Sequence, residues 1–122
     1  MLSKFRLDEL FSQVTSYWDP HIVTELNGQH IKIAKIKGDF IWHAHKDEDE
    51  LFYVHSGHLI MHFRDRSVEM VPGDWLVVPK GVEHLPSAPE ETCIVLLEPA
   101  GTKNTGEVNN ERTVHNLKTL RS

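Results

Sequence analysis

The sequence predicts an all-β fold, an antiparallel barrel or sandwich preceded by one short helix. Short alternating or β-branched segments fill the chain from about residue 20 onward, and helical periodicity does not return before the tail. Turn-forming pairs such as Asn27-Gly28 and Pro72-Gly73 separate these segments, and Asn-Gly is the strongest short hairpin signal. Consecutive strands are therefore expected to pair antiparallel, and about nine short strands are typical of a β-sandwich or barrel.

The predicted elements follow one another in a simple order. Leu7, Leu10, Phe11 and Val14 fall at helical spacing, which predicts a helix within the first fifteen or so residues. Strands are predicted over residues 22–26, 31–37, 40–45, 51–55, 59–63, 68–71, 74–78 and 92–98, with a shorter one around His84.

The organisation of the chain is expected to be simple. Its length of 122 residues fits one domain, with a helix and arm over residues 1–20, a barrel over 21–99 and a polar tail over 100–122. Trp18, Ile22 and the apolar face of the helix form more apolar surface than the first strands alone need. An exposed strand edge invites pairing with a second copy, so a homodimer is expected.

Composition excludes several classes of protein. Lys and Arg number 13 against 18 Asp and Glu, a net charge of -5, which is the wrong sign for binding nucleic acid. The longest apolar run, residues 93–97, is too short for a membrane span, and charged side chains in residues 1–9 argue against a secretory signal. Because Cys93 is the only cysteine, no intramolecular disulfide is possible, and a cytoplasmic location is expected.

The first stretch with chemical content covers residues 38–57. It reads Gly38, four residues, His43, one residue, His45, four residues, Glu50, six residues and Gly57. Residues two apart on a strand point to the same face, so His43 and His45 are expected to project together. A turn over residues 46–49 would return the Glu50 carboxylate to that face. This spacing predicts a cluster of two imidazoles and one carboxylate.

A second stretch brings a further histidine through two glycine turns and a proline. It reads Gly73, five residues, Pro79, one residue, Gly81, two residues and His84. His84 is thus a possible fourth ligand.

The two stretches, which lie 15 residues apart, resemble the two signature motifs of the cupin superfamily. The resemblance implies a double-stranded β-helix, or jelly roll, in a small single-domain protein. It also implies that His43, His45, Glu50 and His84 are metal ligands. The chain departs from the usual pattern at two points. The first gap has four residues where five are usual, and Ala88 stands where the second motif commonly ends in Asn.

The expected cofactor is a divalent transition metal. Neutral imidazoles with one carboxylate suit Fe, Mn, Ni, Co, Zn or Cu better than Ca or Mg. Four protein ligands would leave positions open for a small-molecule ligand or substrate. The family likeness therefore implies a metal-dependent enzyme of dioxygenase or isomerase type, although no obligatory acid or base is evident beyond the ligands. The alternative is a non-catalytic cupin that binds or senses a small molecule.

The other histidines are expected to lie outside the site. Three lie within or just after the first stretch at positions whose side chains should face away from the site, and three lie outside both motifs and should be surface residues. In that order, they are His55, His58, His62, His21, His30 and His115. The acidic turn over residues 47–49 is expected to be solvated, and Cys93 is expected to be a small core residue.

Overall fold

The computed structural model describes residues 4–106, 108 and 110–120. These residues form one short helix and eight strands, which confirms the predicted all-β fold with a short N-terminal helix. The elements are α1 (Leu7–Phe11), β1 (His21–Leu26), β2 (Gln29–Asp39), β3 (Glu50–Ser56), β4 (Leu59–Phe63), β5 (Ser67–Met70), β6 (Trp75–Val78), β7 (His84–Pro99) and β8 (Lys118–Thr119).

The long strand β7 organises the sheet. It pairs antiparallel with β2 from one end to the other, and with β3 and β4 at successive parts of its second edge. The strand order is β5-β4-β7-β2-β1-β8, and β3 carries β6 on its far side. The sheet curls around an interior core without closing into a ring, and this arrangement confirms the predicted jelly roll.

The turns predicted that each strand would pair with the next one along the chain, but only some consecutive strands do so. The hairpins β1–β2 and β4–β5 form as expected. However, β2 and β3 lie on opposite edges of β7, so they are not partners. The short β8 is an addition that the sequence did not predict, and it pairs in parallel with β1.

The predicted strand over residues 40–45 is wrong. Phe40 donates a backbone hydrogen bond to the Pro86 carbonyl at 2.9 Å, but Pro86 has no N–H to return a ladder bond. Within this segment, only His43 forms a bridge, with His84. The two strands predicted around His84 and over residues 92–98 are instead one continuous strand, β7.

The helix α1 is shorter than its apolar spacing predicted. Its last bonds run from Gln13 to the Leu10 carbonyl and from Val14 to the Phe11 carbonyl, each at 3.0 Å. Such three-residue steps tighten the last turn and end the helix. The same apolar side chains pack against Cys93 and the outer face of the sheet, so Cys93 is the small buried core residue that was expected.

The main core fills the interior of the curled sheet. Its members alternate along six strands, with their neighbours facing outward. They are Ala34, Ile36, Phe52, Val54, Leu59, Met61, Met70, Val78, Ala88, Ile94 and Leu96. Among the described residues, no helix has the length and apolar character needed to span a membrane.

The homodimer stays a prediction. Trp18 is packed against Phe40 within the same chain, and the apolar face of α1 covers the sheet. Two of the most exposed large apolar side chains lie on β6, where Trp75 is 64% and Val77 is 55% exposed.

Candidate metal centre

The four predicted ligands converge in the interior of the fold. His43, His45, Glu50 and His84 are all buried, and each offers a ligand atom within 4.8 Å of the other three. The first two lie in the loop after β2, while Glu50 begins β3 and His84 begins β7. Two distant parts of the sequence therefore meet in one cluster that could bind a metal.

Backbone hydrogen bonds join the two motif segments. The His43 N–H donates to the His84 carbonyl at 3.1 Å, and the His84 N–H donates to the His43 carbonyl at 2.9 Å. The Gly81 N–H donates to the His45 carbonyl at 2.8 Å. Asp49, which is exposed as expected for the acidic turn, also accepts a bond from the Lys80 N–H at 2.9 Å.

Hydrogen bonds also orient two of the imidazole rings. Nδ1 of His43 lies 2.9 Å from the Ile41 carbonyl, and Nδ1 of His84 lies 2.9 Å from the Val82 carbonyl. Because a carbonyl can only accept, each Nδ1 carries the proton and each Nε2 keeps a free lone pair. This tautomer is the one that an Nε2 metal ligand needs.

Several polar atoms in the cluster have no hydrogen-bond partner among the described residues. They include Nε2 of His45, Nε2 of His84 and Oε1 of Glu50, all of which are buried. Oε1 of Glu50 lies 3.3 Å from the first of these nitrogens and 3.5 Å from the second. Buried unpartnered atoms are costly, and a divalent cation would satisfy all three. The donor set therefore fits a transition metal.

Electrostatics favour the ligand-competent protonation states. Burial, with a further contribution from His84, lowers the pKa of His43 from 6.5 to about 4. Burial opposes ionisation of Glu50, but its contacts with Glu98, His45 and His84 outweigh burial and hold its pKa well below the usual value. At neutral pH, His43 is therefore a neutral imidazole and Glu50 is a carboxylate.

A buried ion pair that the sequence analysis missed lies next to the cluster. Nζ of Lys32 is 2.8 Å from Oε1 of Glu98, and the two side chains are only 1% and 2% exposed. Leu51 pairs with Leu97, so Glu50 and Glu98 are the next residues along adjacent strands. Burial and the Glu50 carboxylate raise the pKa of Glu98 well above its usual value, against the opposing effect of Lys32.

A sequence signal for this pair exists. Lys32 lies on the same face of β2 as Ala34 and Ile36, and Glu98 lies on the same face of β7 as Ile94 and Leu96. Each charged residue therefore occupies a position at which an apolar residue would be expected. A charged residue in phase with a core face is rarely buried without a partner.

A small cavity of about 50 Å³ opens beside the cluster. Trp18 and Phe40 form its aromatic wall, with ring centroids 4.8 Å apart. The Phe40 ring centroid in turn lies 5.3 Å from that of His43. The lining residues are Trp18, Pro20, Ala34, Ile36, Phe40, His43, Glu50, Phe52, Pro86, Ile94, Leu96, Glu98 and Asn104. The candidate metal ligands His43 and Glu50 therefore face a mostly apolar cavity.

Among the described residues, His55, His58 and His62 do not join the cluster. Nε2 of His55 lies 2.7 Å from Oδ1 of Asp8 and so connects β3 to α1. The His62 ring lies within hydrogen-bond distance of the Ser67 and Ser87 hydroxyls. His58 lies on the turn before β4, 4.0 Å from Glu69.

The expectation that His21, His30 and His115 are surface residues is correct only in part. His115 is exposed. His30 is half-buried, and its ring lies 3.0 Å from Glu25. For His21 the expectation is wrong, because the residue is 5% exposed and its Nδ1 lies 2.6 Å from the Asp19 carbonyl. The backbone turn before β1 directs the ring inward.

Sequence comparison identifies a family model for most of the barrel. The model described as "Cupin domain" matches residues 29–98, a range that contains all four candidate ligands. The chain is also 36% identical over 63 residues to the uncharacterized protein YdbB of Bacillus subtilis. That match covers 51% of this chain and 56% of YdbB, so it spans little more than half of the relative.

Solved structures with the same architecture support the match. A cupin-2 domain containing protein from Shewanella frigidimarina is 40% identical, with a TM-score of 0.77 over 78% of this chain and 93% of that chain. Protein NMB1881 from Neisseria meningitidis is 28% identical, with a TM-score of 0.74 over 80% of this chain and 100% of that chain.

Proposed function

The chain belongs to the cupin domain family, and from this premise we propose that it is a metal-dependent enzyme of dioxygenase or isomerase type that acts on a small metabolite. The observation that carries the proposal is the buried convergence of His43, His45, Glu50 and His84 beside a cavity. Three neutral imidazoles and one carboxylate suit Fe, Mn, Ni, Co, Zn or Cu.

The residues of the chain would hold such an ion in place. His43 and His84 present Nε2 because their Nδ1 atoms are held by backbone carbonyls. Glu50 supplies the negative charge, and its low pKa keeps that charge at neutral pH. A bound transition metal supplies Lewis-acid or redox chemistry at positions that the protein leaves open.

The cavity would hold the organic ligand. Trp18, Phe40 and the aliphatic lining exclude water around it, while Asn104 offers a polar group at the wall. Small-molecule sites commonly combine an apolar wall with a few polar groups that fix orientation. A metabolite with two oxygen atoms for the metal and a flat or apolar body fits this description.

A substrate survey tests the enzymatic proposal. Metal-reconstituted protein is incubated with diketones, catechols, thiols, flavonols and sugar acids while oxygen uptake and product formation are followed. We expect turnover of one class by the wild type and none by His84→Ala, with His115→Ala as the matched control that keeps activity. Turnover that is unchanged in His84→Ala would contradict the proposal.

The second candidate is a module that binds a small molecule without turnover. One observation favours it: apart from the candidate ligands, Glu98 is the one titratable residue among those that line the cavity, and Lys32 already binds it. Tight binding of a compound from the same survey, with no consumption of that compound or of oxygen, would support the module.

We propose further that the protein works in the cytoplasm as a homodimer that binds neither nucleic acid nor membrane. The net charge of -5 and the free, buried Cys93 support the location and the absence of a nucleic-acid partner. The exposed Trp75 and Val77 offer an apolar surface for a second copy. Light scattering over a concentration series should give the dimer mass, and a constant monomer mass would contradict this.

A further inference from the structure

A cation from the C-terminal tail lies against the aromatic wall of the cavity. The guanidinium carbon of Arg112 is 5.6 Å from the Trp18 ring centroid and 5.8 Å from the Phe40 ring centroid. Both rings line the cavity, and Phe40 also contacts His43. Phe40 therefore contacts both the guanidinium and a candidate metal ligand.

The position of Arg112 is fixed by a residue of the cavity itself. The Asn104 side chain donates to the Arg112 carbonyl at 2.8 Å and accepts from the Val114 N–H at 3.0 Å. The Arg112 N–H in turn donates to the Asn110 side chain at 2.8 Å. Because Asn104 lines the cavity, the tail is anchored directly at the site.

Apart from its contacts with the Trp18 and Phe40 rings, the guanidinium of Arg112 has no partner within the described part of the chain. None of those residues forms an ion pair with its guanidinium, and none accepts a hydrogen bond from it. Arg64 makes a useful comparison, since it lies 3.9 Å from the Trp42 ring centroid but also pairs with Glu83 at 3.2 Å. In a chain with net charge -5, an arginine that lies beside a cavity and has no anionic partner among the described residues is a specific feature.

From this arrangement we propose that Arg112 binds the anionic group of the ligand, so that the site takes a small organic anion. One end of that ligand would bind at the metal centre, and a carboxylate or phosphate group at the other end would meet the guanidinium. The planar guanidinium presents several N–H donors in a fork that matches both oxyanions. The inference rests on the proposed metal centre, and it deepens that proposal by naming the charge of the substrate.

Matched hydroxamates provide the test, since both probes place the same chelating group on the metal. Succinic monohydroxamate ends in a carboxylate, and butyrohydroxamate ends in a methyl group at the same position. Their binding to the Co(II)-loaded protein is followed by the visible spectrum. We expect the wild type to prefer the anionic probe by about tenfold or more, the usual effect of a charged hydrogen-bonded pair.

Variants assign that preference to one residue. Arg112→Met should reduce the ratio of the two affinities to about one without changing the affinity for butyrohydroxamate, because only the charged contact is lost. Arg112→Lys should keep part of the preference, since it keeps the charge and loses the fork. Arg6→Met, directly before α1, removes one charge outside the cavity and should leave the ratio unchanged. A third probe, 3-phosphonopropanohydroxamate, carries a phosphonate in place of the carboxylate. Comparison of its affinity with that of succinic monohydroxamate shows which of the two anions the site prefers.

The outcomes are distinct. Equal binding of the two probes by the wild type, or an unchanged preference in Arg112→Met, would overturn the role of Arg112 and leave the metal centre intact. A wild type that holds no metal would refute the proposed metal centre, and the inference would fall with it. A metal-loaded wild type that binds neither hydroxamate would overturn the inference and leave the metal centre intact. Metal content is measured on the same samples, so the two failures cannot be confused.

Discussion

His43 and His84 exchange two backbone hydrogen bonds, at 3.1 and 2.9 Å, and their ring centroids lie 4.2 Å apart. These bonds belong to the main chain and need no ion. The two motif segments are therefore held together by the main chain, which brings the candidate ligands close to one another. Such an arrangement would reduce the ordering that metal binding has to impose.

The stability of the metal-free protein should depend on pH through His43. The folded-state pKa is about 4 and the ordinary value is 6.5, so between these values the unfolded state binds more protons. The contribution of His43 to the free energy of unfolding should therefore decrease as the pH falls from 6.5 to 4, by up to about 3 kcal/mol. Denaturant titrations at several pH values measure it.

A pair of variants isolates that contribution. His43→Leu should show a weaker pH dependence than the wild type over this range, while His115→Leu, at an exposed position, should keep the wild-type slope. An identical slope in the wild type and His43→Leu would show that His43 does not titrate in this way.

The four candidate ligands were predictable because the prediction depends on their spacing along the sequence, and an error in one predicted strand does not change that spacing. No continuous strand forms over residues 40–45, yet His43 and His45 both reach the cluster, since the bridge to His84 anchors their segment. His21 shows the opposite case. Nothing in its immediate sequence indicates burial, and only the turn that brings Nδ1 to the Asp19 carbonyl accounts for it.

Breaking the buried pair of Lys32 and Glu98 should destabilise the fold strongly, whereas replacing both residues by apolar ones should change its stability little. Lys32→Met leaves a buried carboxyl group without its partner, and we expect a loss of about 3–5 kcal/mol in the free energy of unfolding. The double variant Lys32→Met with Glu98→Leu removes both charges, and it should recover most of that loss. Urea denaturation of the three proteins tests this prediction.

An exposed ion pair is the control for that experiment. Glu83→Gln removes the charge that pairs with Arg64, leaves the Arg64 contact with Trp42 in place, and should cost less than about 1 kcal/mol. If Lys32→Met costs no more than Glu83→Gln, the buried pair does not contribute as we describe.

Gly106 should control how closely the tail approaches the site. A Cβ at this position would meet the Ala44 carbonyl, between two candidate ligands, and the φ of 63° is in the left-handed region. Gly106→Ala should therefore displace the tail, increase amide exchange of Val114 and reduce the preference for succinic monohydroxamate by about threefold or more.

Gly101→Ala is the matched control for this change, because its φ of 91° is also positive but no atom lies within 4 Å of the added Cβ. Gly101→Ala should leave the exchange of Val114 and the probe preference close to the wild type. Equal effects of the two substitutions would mean that the strained φ, rather than the contact with Ala44, is responsible.

The tail and the aromatic wall were beyond sequence prediction for a physical reason. Trp18 and Arg112 meet only because the chain returns from β7 across the cavity, and such long-range contacts leave no periodic signal. The sequence assigned Trp18 to a dimer surface, whereas its Nε1 donates to the Lys37 carbonyl at 2.9 Å and its ring stacks on Phe40. Spacing predicts ligands within a motif, but it does not predict what surrounds them.

Elemental analysis tests the central claim most directly. The protein is purified without chelators or a nickel column, and its metal content is measured beside that of His43→Ala, His84→Ala and His115→Ala. We expect a single divalent transition metal ion in the wild type and in His115→Ala, and its loss from the other two variants while circular dichroism shows a retained fold. A wild type without metal, or full metal content in His84→Ala, would contradict the account.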